Sequence, residues 1–326
     1  MPCTFPLQGF FSGINGQFKY CEKAQAAFRA GKSLGGQGAV SCGQCINCRL
    51  RLQRDWAIRA AHESTLWPSS SFLTFTFDTP SMKRLCPLAK WSDPFDDFTP
   101  DPVKVPLKER YSIVRQHMVK FNKDLRERLY PELVRFMYCG EYGDRYKRPH
   151  YHSIVFNYDF PDKKFYKRIG TKDYFNSDLL SSLWPHGHAV ISDFSFETAS
   201  YVAGYMLQKV SGRGKDRHYK GLCPEFAGYS RMPGLGYEWF HRYWRDLYPS
   251  DECVVQLGDR KCVVRPPAYY DRLLKKFHPD VFEAVSLARR KDLVDLAEDH
   301  SYERLQAIHK CTVAKINRLV KNLENE

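Results

Sequence analysis

The stretch RPHYHSIVF at residues 148–156 decides the fold. After Pro149 it is rich in aromatic and β-branched residues, so it reads as a strand. Side chains alternate faces along a strand, which sends His150 and His152 to one side of a sheet and Tyr151 to the other. The two imidazoles then stand roughly 6 to 7 Å apart, close enough to share one cation. Such pairs also pack or hydrogen-bond with no ion between them. Working outward, residues 133–139 form a second β-rich run, joined to the first by the turn-like GEYGDRYKRP. FLTFTF at 72–77 alternates apolar residues with threonine and reads as a third strand.

Around these strands, 107–130, 173–184 and 196–210 carry helical patterns, the last with Ser195 at its N-cap position, and 188–192 reads as a short strand. Residues 1–40 and 211–237 are Gly-rich and aromatic and read as loops. Residues 78–106 contain six prolines, the mark of a long surface loop. From Pro267 onward the chain is charged and helical in pattern. The fold class is α+β, a central antiparallel sheet with flanking helices and a helical C-terminal extension. The expected division is 1–66, a cysteine-containing segment with a basic helix; 67–245, the core; and 246–326, the extension.

The 326 residues carry 50 Lys and Arg against 37 Asp and Glu, a formal charge of +13, which suits a polyanionic partner such as nucleic acid. The opening MPCTFPLQGFFSG lacks the pattern of a signal peptide, and no run of about 18 to 20 apolar residues could span a bilayer. The chain is therefore expected to be cytoplasmic, with its 11 cysteines reduced.

Glu141 sits nine positions before His150, and the intervening turn can return it to the same face. One carboxylate with His150 and His152 is a mixed nitrogen and oxygen set that suits Mn²⁺ or Mg²⁺ with open positions. The alternative for Glu141 is an exposed turn carboxylate paired with Arg145 or Lys147. In YVAGYMLQK at 201–209, Tyr201, Tyr205 and Lys209 stack along one helix face. Tyrosines at that spacing are often simply the packed face of a helix, but a lysine there is costly to bury unpaired.

Cys42, Cys45 and Cys48 form a thiolate pattern that a fourth ligand, Cys3, Cys21 or His62, would complete as a structural Zn²⁺ site. Three reduced, partly buried thiols are the equal alternative. Arg49, Arg51, Arg54 and Arg59 on the following helix, Arg148 beside the histidines, and Arg213, Lys215 and Arg217 in SGRGKDRHYK at 211–220 are candidate DNA contacts. AAFRAGKS at 26–33 has Ala26 where a phosphate loop needs glycine, which excludes an ATP site.

Taken in order, CGQCINCR, FLTFTF, CGEYG, RPHYH, YVAGYMLQK and PGLGYEWF, spread over roughly 40–240, resemble the HUH endonucleases. They are most similar to the two-tyrosine replication initiators of gokushovirus-like microviruses. The resemblance implies a bacteriophage nickase working in the cytoplasm of a bacterial host. It would cut single-stranded or supercoiled origin DNA with a tyrosine, form a 5′-phosphotyrosine link and free a 3′-hydroxyl for rolling-circle replication, then rejoin the strands. It also implies host helicase and DNA polymerase as partners. Where relatives often place a basic residue between the tyrosines, this chain has Gly204. A relaxase or transposase of the same superfamily, or a non-catalytic nucleic-acid-binding protein, are the alternative readings.

Overall fold

The computed structural model describes residues 2–12, 17–89, 109–143, 146–208, 215–257, 260–295 and 300–324. In chain order they form β1 (Leu7–Phe11), β2 (Phe18–Tyr20), α1 (Glu22–Arg29), β3 (Gly38–Val40), α2 (Ile46–Ser64), β4 (Ser70–Thr76), α3 (Thr79–Leu85), α4 (Arg115–Leu129), β5 (Arg135–Tyr142) and β6 (Pro149–Phe156). There follow β7 (Lys164–Ile169), β8 (Lys172–Asn176), α5 (Asp178–Leu183), β9 (Ala189–Asp193), α6 (Phe196–Gln208), α7 (Lys215–Tyr219), β10 (Phe226–Tyr229) and α8 (Tyr237–Tyr243). The chain continues with β11 (Cys253–Leu257), β12 (Arg260–Val264), α9 (Ala268–Phe277), α10 (Pro279–Asp295) and α11 (Tyr302–Glu324). None of the described helices is long and apolar enough to cross a membrane.

These elements form two compact units, one of residues 53–247 and 252–270, the other of 1–52, 248–251 and 271–326. The larger unit is built on a seven-stranded sheet in the order β10-β5-β6-β4-β9-β8-β7. Every neighbouring pair in it is antiparallel. The α+β class with a central antiparallel sheet is the one expected.

Alternation along β6 divides the sheet into two faces. Tyr151 and Val155 enter one core with Leu73, Phe75, Phe136 and the inner residues Met118, Phe121 and Leu125 of α4. These α4 positions recur three and four apart, which is what buries one stripe of a helix. Ile154 and Phe156 enter a second core with Phe72, Met137 and Cys139, covered by Trp56, Ala57 and Ala60 of α2 and Ala199, Val202 and Ala203 of α6. Small alanines at the covering positions let both helices lie close to the strands. A fully buried apolar side chain contributes about 1.5–3 kcal/mol, so these two layers carry much of the unit's stability. Arg59 of α2 belongs to this framework rather than to any DNA contact. Its guanidinium lies between the rings of Trp56 (4.0 Å) and Tyr269 (3.9 Å), its Nε donates to the Leu235 carbonyl, and only 7% of it is exposed.

The second unit holds a three-stranded antiparallel sheet, β2-β1-β3, with α1 and the C-terminal helices. The Gln25 side chain of α1 accepts from the Gln8 amide of β1, and Phe5 meets His309 of α11 edge to face at 4.9 Å.

Four expectations are corrected, the first being the loop expected over 78–106, which begins with α3, whose Ser81 and Met82 are buried. Residues 1–40 contain β1, β2, α1 and β3 rather than loop alone; the strands are three to five residues long and too short to show alternation. The helix expected over 173–184 is the end of strand β8 followed by α5, which is capped by Ser177, whose Oγ accepts from the Leu180 amide. The loop expected over 211–237 includes α7 and α8's first residue, and β10 extends the main sheet by pairing with β5.

Candidate active site

The register of the central strands assembles the site. Across the β5–β6 ladder, Glu141 stands directly opposite His150 and Cys139 opposite His152; across β4–β6, Thr74 stands opposite His152. Glu141, His150, His152 and Thr74 therefore share one face, the face on which α6 lies. Glu141 is not an exposed turn carboxylate: it lies within β5 and is 5% exposed.

His152 is held at both ring nitrogens. Nε2 lies 2.8 Å from Glu141 Oε1 and Nδ1 lies 3.1 Å from Thr74 Oγ1, while the ring stacks on Phe72 at 5.5 Å. His150 Nδ1 donates to the Arg148 carbonyl at 2.7 Å, which puts the ring's lone pair on Nε2. Burial lowers the His150 pKa, opposed in part by that carbonyl, so the ring is held neutral and competent as a ligand. The ring needs Gly143: a β-carbon there would lie 2.7 Å from His150 Cε1. Among the described residues, the set of three or more potential ligand atoms all within 4.8 Å of one another is a cysteine cluster. Glu141, His150 and His152 are not grouped in this way.

Tyr201 reaches the same carboxylate from α6. Its hydroxyl donates to Glu141 Oε1 at 3.2 Å and its ring meets His152 edge to face at 5.0 Å, yet 43% of the residue is exposed. The helix begins with a reciprocal cap: Ser195 N donates to Thr198 Oγ1 and Thr198 N to Ser195 Oγ. Tyr205 lies one turn beyond Tyr201 on the α6 backbone. Its side chain, those of Lys215 and Arg217, and all of Lys209 and Arg213 lie outside the described residues. Gly204 faces Gln53, whose Nε2 would be 3.0 Å from a β-carbon at that position and donates instead to the Ser200 carbonyl. Arg148 donates to the Phe77 carbonyl (2.8 Å) and to Thr79 Oγ1 (3.4 Å), bracing the chain after β4.

The residues fit a hard divalent cation. Glu141 Oε2 is buried without a hydrogen-bond partner, an orphaned anionic acceptor beside an imidazole. The 2.8 Å between Glu141 Oε1 and His152 Nε2 also matches the roughly 2.9 Å separating adjacent ligands of an octahedral ion with bonds of about 2.1 Å. If Nε2 were so used, Thr74 would accept from Nδ1 and orient the ring.

A cleft of about 720 Å³ is lined by His152 and Tyr201 and by Tyr166, Lys167, Lys172 and Tyr174 of the β7–β8 hairpin. Lys167 Nζ lies 5.3 Å from the Tyr166 ring and 5.8 Å from the Tyr174 ring. Neither Thr74 nor the hairpin stands out in the sequence as part of a site. For Thr74 the signal was available, since it alternates within FLTFTF; for the hairpin it was only an unusual mixture of tyrosine and lysine. His188, at the start of the stretch read as a short strand, also lines the cleft.

In the other unit, the sulfurs of Cys3, Cys42, Cys45 and Cys48 lie within 4.8 Å of one another. Neither Cys21 nor His62 joins them: Cys21 caps α1, and the His62 ring is stacked on Trp239 at 3.5 Å.

The family described as Replication-associated protein ORF2/G2P matches residues 70–210, from β4 through α6. The chain is 30% identical over 305 residues to the replication-associated protein VP4 of Bdellovibrio phage phiMH2K, covering 91% of this chain and 85% of that protein. The chain belongs to the replication-associated proteins of the microviruses. Within that family it is also similar to the replication-associated protein ORF2 of Spiroplasma virus 4, at 26% identity over 90% of this chain and 87% of that one. It is 25% identical to the replication-associated protein ORF4 of Chlamydia phage 1, over 73% of this chain and 54% of that protein. No solved structure matches.

Proposed function

We propose that this microvirus family member initiates viral DNA replication by nicking single-stranded origin DNA with a tyrosine nucleophile. The observation that carries the reading is the double use of one carboxylate oxygen: Glu141 Oε1 takes both His152 Nε2 and the Tyr201 hydroxyl. A nucleophile and a candidate metal ligand are thereby fixed to the same atom. Mn²⁺ or Mg²⁺ held by Glu141, His150 and His152 would polarise the scissile phosphate and offset the charge that develops on it.

The chain's own residues supply the rest. Tyr201 is half exposed while its hydroxyl is tethered, so a phosphate can reach it without unfolding α6. Its proton has an acceptor in place at Glu141 Oε1. Attack of the tyrosine oxygen forms a bond to phosphorus and breaks the bond from phosphorus to the 3′-oxygen, which takes up a proton and leaves as the hydroxyl. The strand's 5′-phosphate remains joined to the tyrosine. The reverse exchange, with a new 3′-hydroxyl, joins strands without ATP. Tyr205, one turn along the helix, is the candidate second nucleophile, and Lys209 the candidate phosphate contact. The Tyr166, Lys167, Lys172 and Tyr174 lining suits single-stranded DNA, because aromatic faces stack on bases of any sequence and ammonium groups meet phosphates. Arg148, Arg213, Lys215 and Arg217 are further candidate DNA contacts, with host helicase and polymerase acting on the freed end.

The test is a labelled single-stranded oligonucleotide carrying the viral origin, incubated with the protein and Mn²⁺. A denaturation-resistant protein–DNA adduct is expected, absent from Tyr201→Phe with Tyr205→Phe. No adduct from folded wild-type protein would sink the proposal, and an adduct surviving in the double variant would sink the choice of nucleophile.

A further inference from the structure

The cysteine cluster belongs to the smaller unit, and the chemistry above makes no use of it. Its four members come from three places in the chain. β1 pairs antiparallel with β3, Leu7 opposite Val40 and Gly9 opposite Gly38. Carried beyond Leu7, that register brings Cys3 alongside the turn that follows β3, where Cys42 and Cys45 sit. Cys45 immediately precedes α2, its carbonyl accepting from the Arg49 amide, and Cys48 lies in the first turn of that helix. Residues three apart on a helix face the same way, so Cys45 and Cys48 present their sulfurs together. Gly43 takes φ of +72°, the left-handed conformation that turns the chain between Cys42 and Cys45.

The sulfur geometry is specific. Cys3 Sγ lies 3.5 Å from Cys42 Sγ and 3.8 Å from Cys45 Sγ, and all four sulfurs fall within 4.8 Å of one another. Four thiolates around one zinc at about 2.3 Å would be roughly 3.8 Å apart. A disulfide would need about 2.05 Å, and all four cysteines are free. An iron–sulfur cluster would hold thiolates on different irons, which spreads them well beyond these separations.

The backbone points the same way. The Cys42 amide donates to Cys3 Sγ (3.3 Å), and the amides of Gln44 (3.4 Å) and Cys45 (3.3 Å) donate to Cys42 Sγ. A neutral thiol is a weak acceptor, whereas a thiolate draws such donors strongly. Three amides aimed at two sulfurs are suited to spreading the negative charge of a tetrathiolate. Cys45 and Cys48 are buried and Cys3 and Cys42 half-buried, and four thiolates complete a tetrahedral zinc, as in a structural rather than a catalytic site.

We propose that Cys3, Cys42, Cys45 and Cys48 bind one structural Zn²⁺, which ties the N-terminal segment to the start of α2. Binding releases the thiol protons and leaves no position for substrate.

The experiment uses the full chain purified under reducing conditions. Elemental analysis and native mass spectrometry should find about one zinc per chain, and Cys42→Ser with Cys45→Ser should lower that content tenfold or more. Because these variants can fail to fold, the wild-type protein supplies a second measurement. Cys3, Cys42, Cys45 and Cys48 should resist alkylation until a strong chelator is added, then react together, and Co²⁺ exchanged into the site should give the absorption of tetrahedral tetrathiolate coordination. Folded wild-type protein without zinc, or with one iron in its place, overturns the proposal. So does zinc that survives loss of the cysteines and disappears with His152→Ala, or alkylation of the four cysteines at the same rate with and without chelator.

Discussion

At the scale of single residues, the proposed site depends on groups that position others. The Thr74 hydroxyl is the partner of His152 Nδ1. Thr74→Val keeps the side chain's shape and removes that partner. Mn²⁺ affinity measured by calorimetry, and adduct formation with it, should fall about 10- to 100-fold while the melting temperature changes little. His62 illustrates a different constraint. Stacked on Trp239 at 3.5 Å, with Nδ1 3.0 Å from the Tyr270 hydroxyl, it is half-buried, and the loss of solvent lowers its pKa to about 3. The unfolded chain takes up a proton there near pH 6.5 and the folded protein does not. Stability from this group is therefore complete above about pH 6.5 and declines as pH falls towards about 3. Urea unfolding at pH 7 and pH 5 should differ by about 2 kcal/mol through His62, a share that His62→Gln abolishes. Of these details the shared face of His150 and His152 was legible from alternation alone. The Thr74 contact was not, because it depends on how β4 registers against β6, which is set by the whole sheet.

At the scale of elements, the strands that meet two cores announced themselves and those that meet none did not. β4, β5 and β6 are dense in apolar and aromatic residues because both their faces are covered. The β7–β8 hairpin was not foreseen, since every residue of β7 is exposed and leaves no buried face to give a period. Phe165, Tyr166 and Ile169 are exposed by half or more there, an unusual outlay of large apolar surface unless something covers it. Tyr166→Ala and Tyr174→Ala should each weaken binding of a single-stranded oligonucleotide by about 1–3 kcal/mol in fluorescence anisotropy, with little change in thermal stability. Unaltered affinity in both variants would remove the hairpin from the DNA path. β10 escaped notice for a related reason: it has only four residues, two of them Ala and Gly, too few to show a period.

At the scale of the whole molecule, a formal charge of +13 sets how the protein meets DNA before any specific contact forms. The logarithm of affinity for single strands should fall linearly with the logarithm of salt concentration, by about 0.7 for each phosphate neutralised. Lys167→Ala with Lys172→Ala should reduce that slope by at most about 1.4, whereas the Thr74 variant should leave it unchanged. Charge and composition made this electrostatic character readable from the sequence, along with the α+β class. They could not indicate that residues 1–52 fold with 271–326, because no local pattern reports which distant segments share a core. One further consequence follows from β6 lying between β5 and β4, with three strands beyond β4 and one beyond β5. A sheet frays from its rims, so hydrogen–deuterium exchange should retire the amides of β7, β8 and β10 early and those of the inner strands β4 and β6 late. His150 and His152 would then ride on a segment slow to open, and breathing motions wide enough to admit a DNA strand could come and go without disturbing the spacing of the two imidazoles.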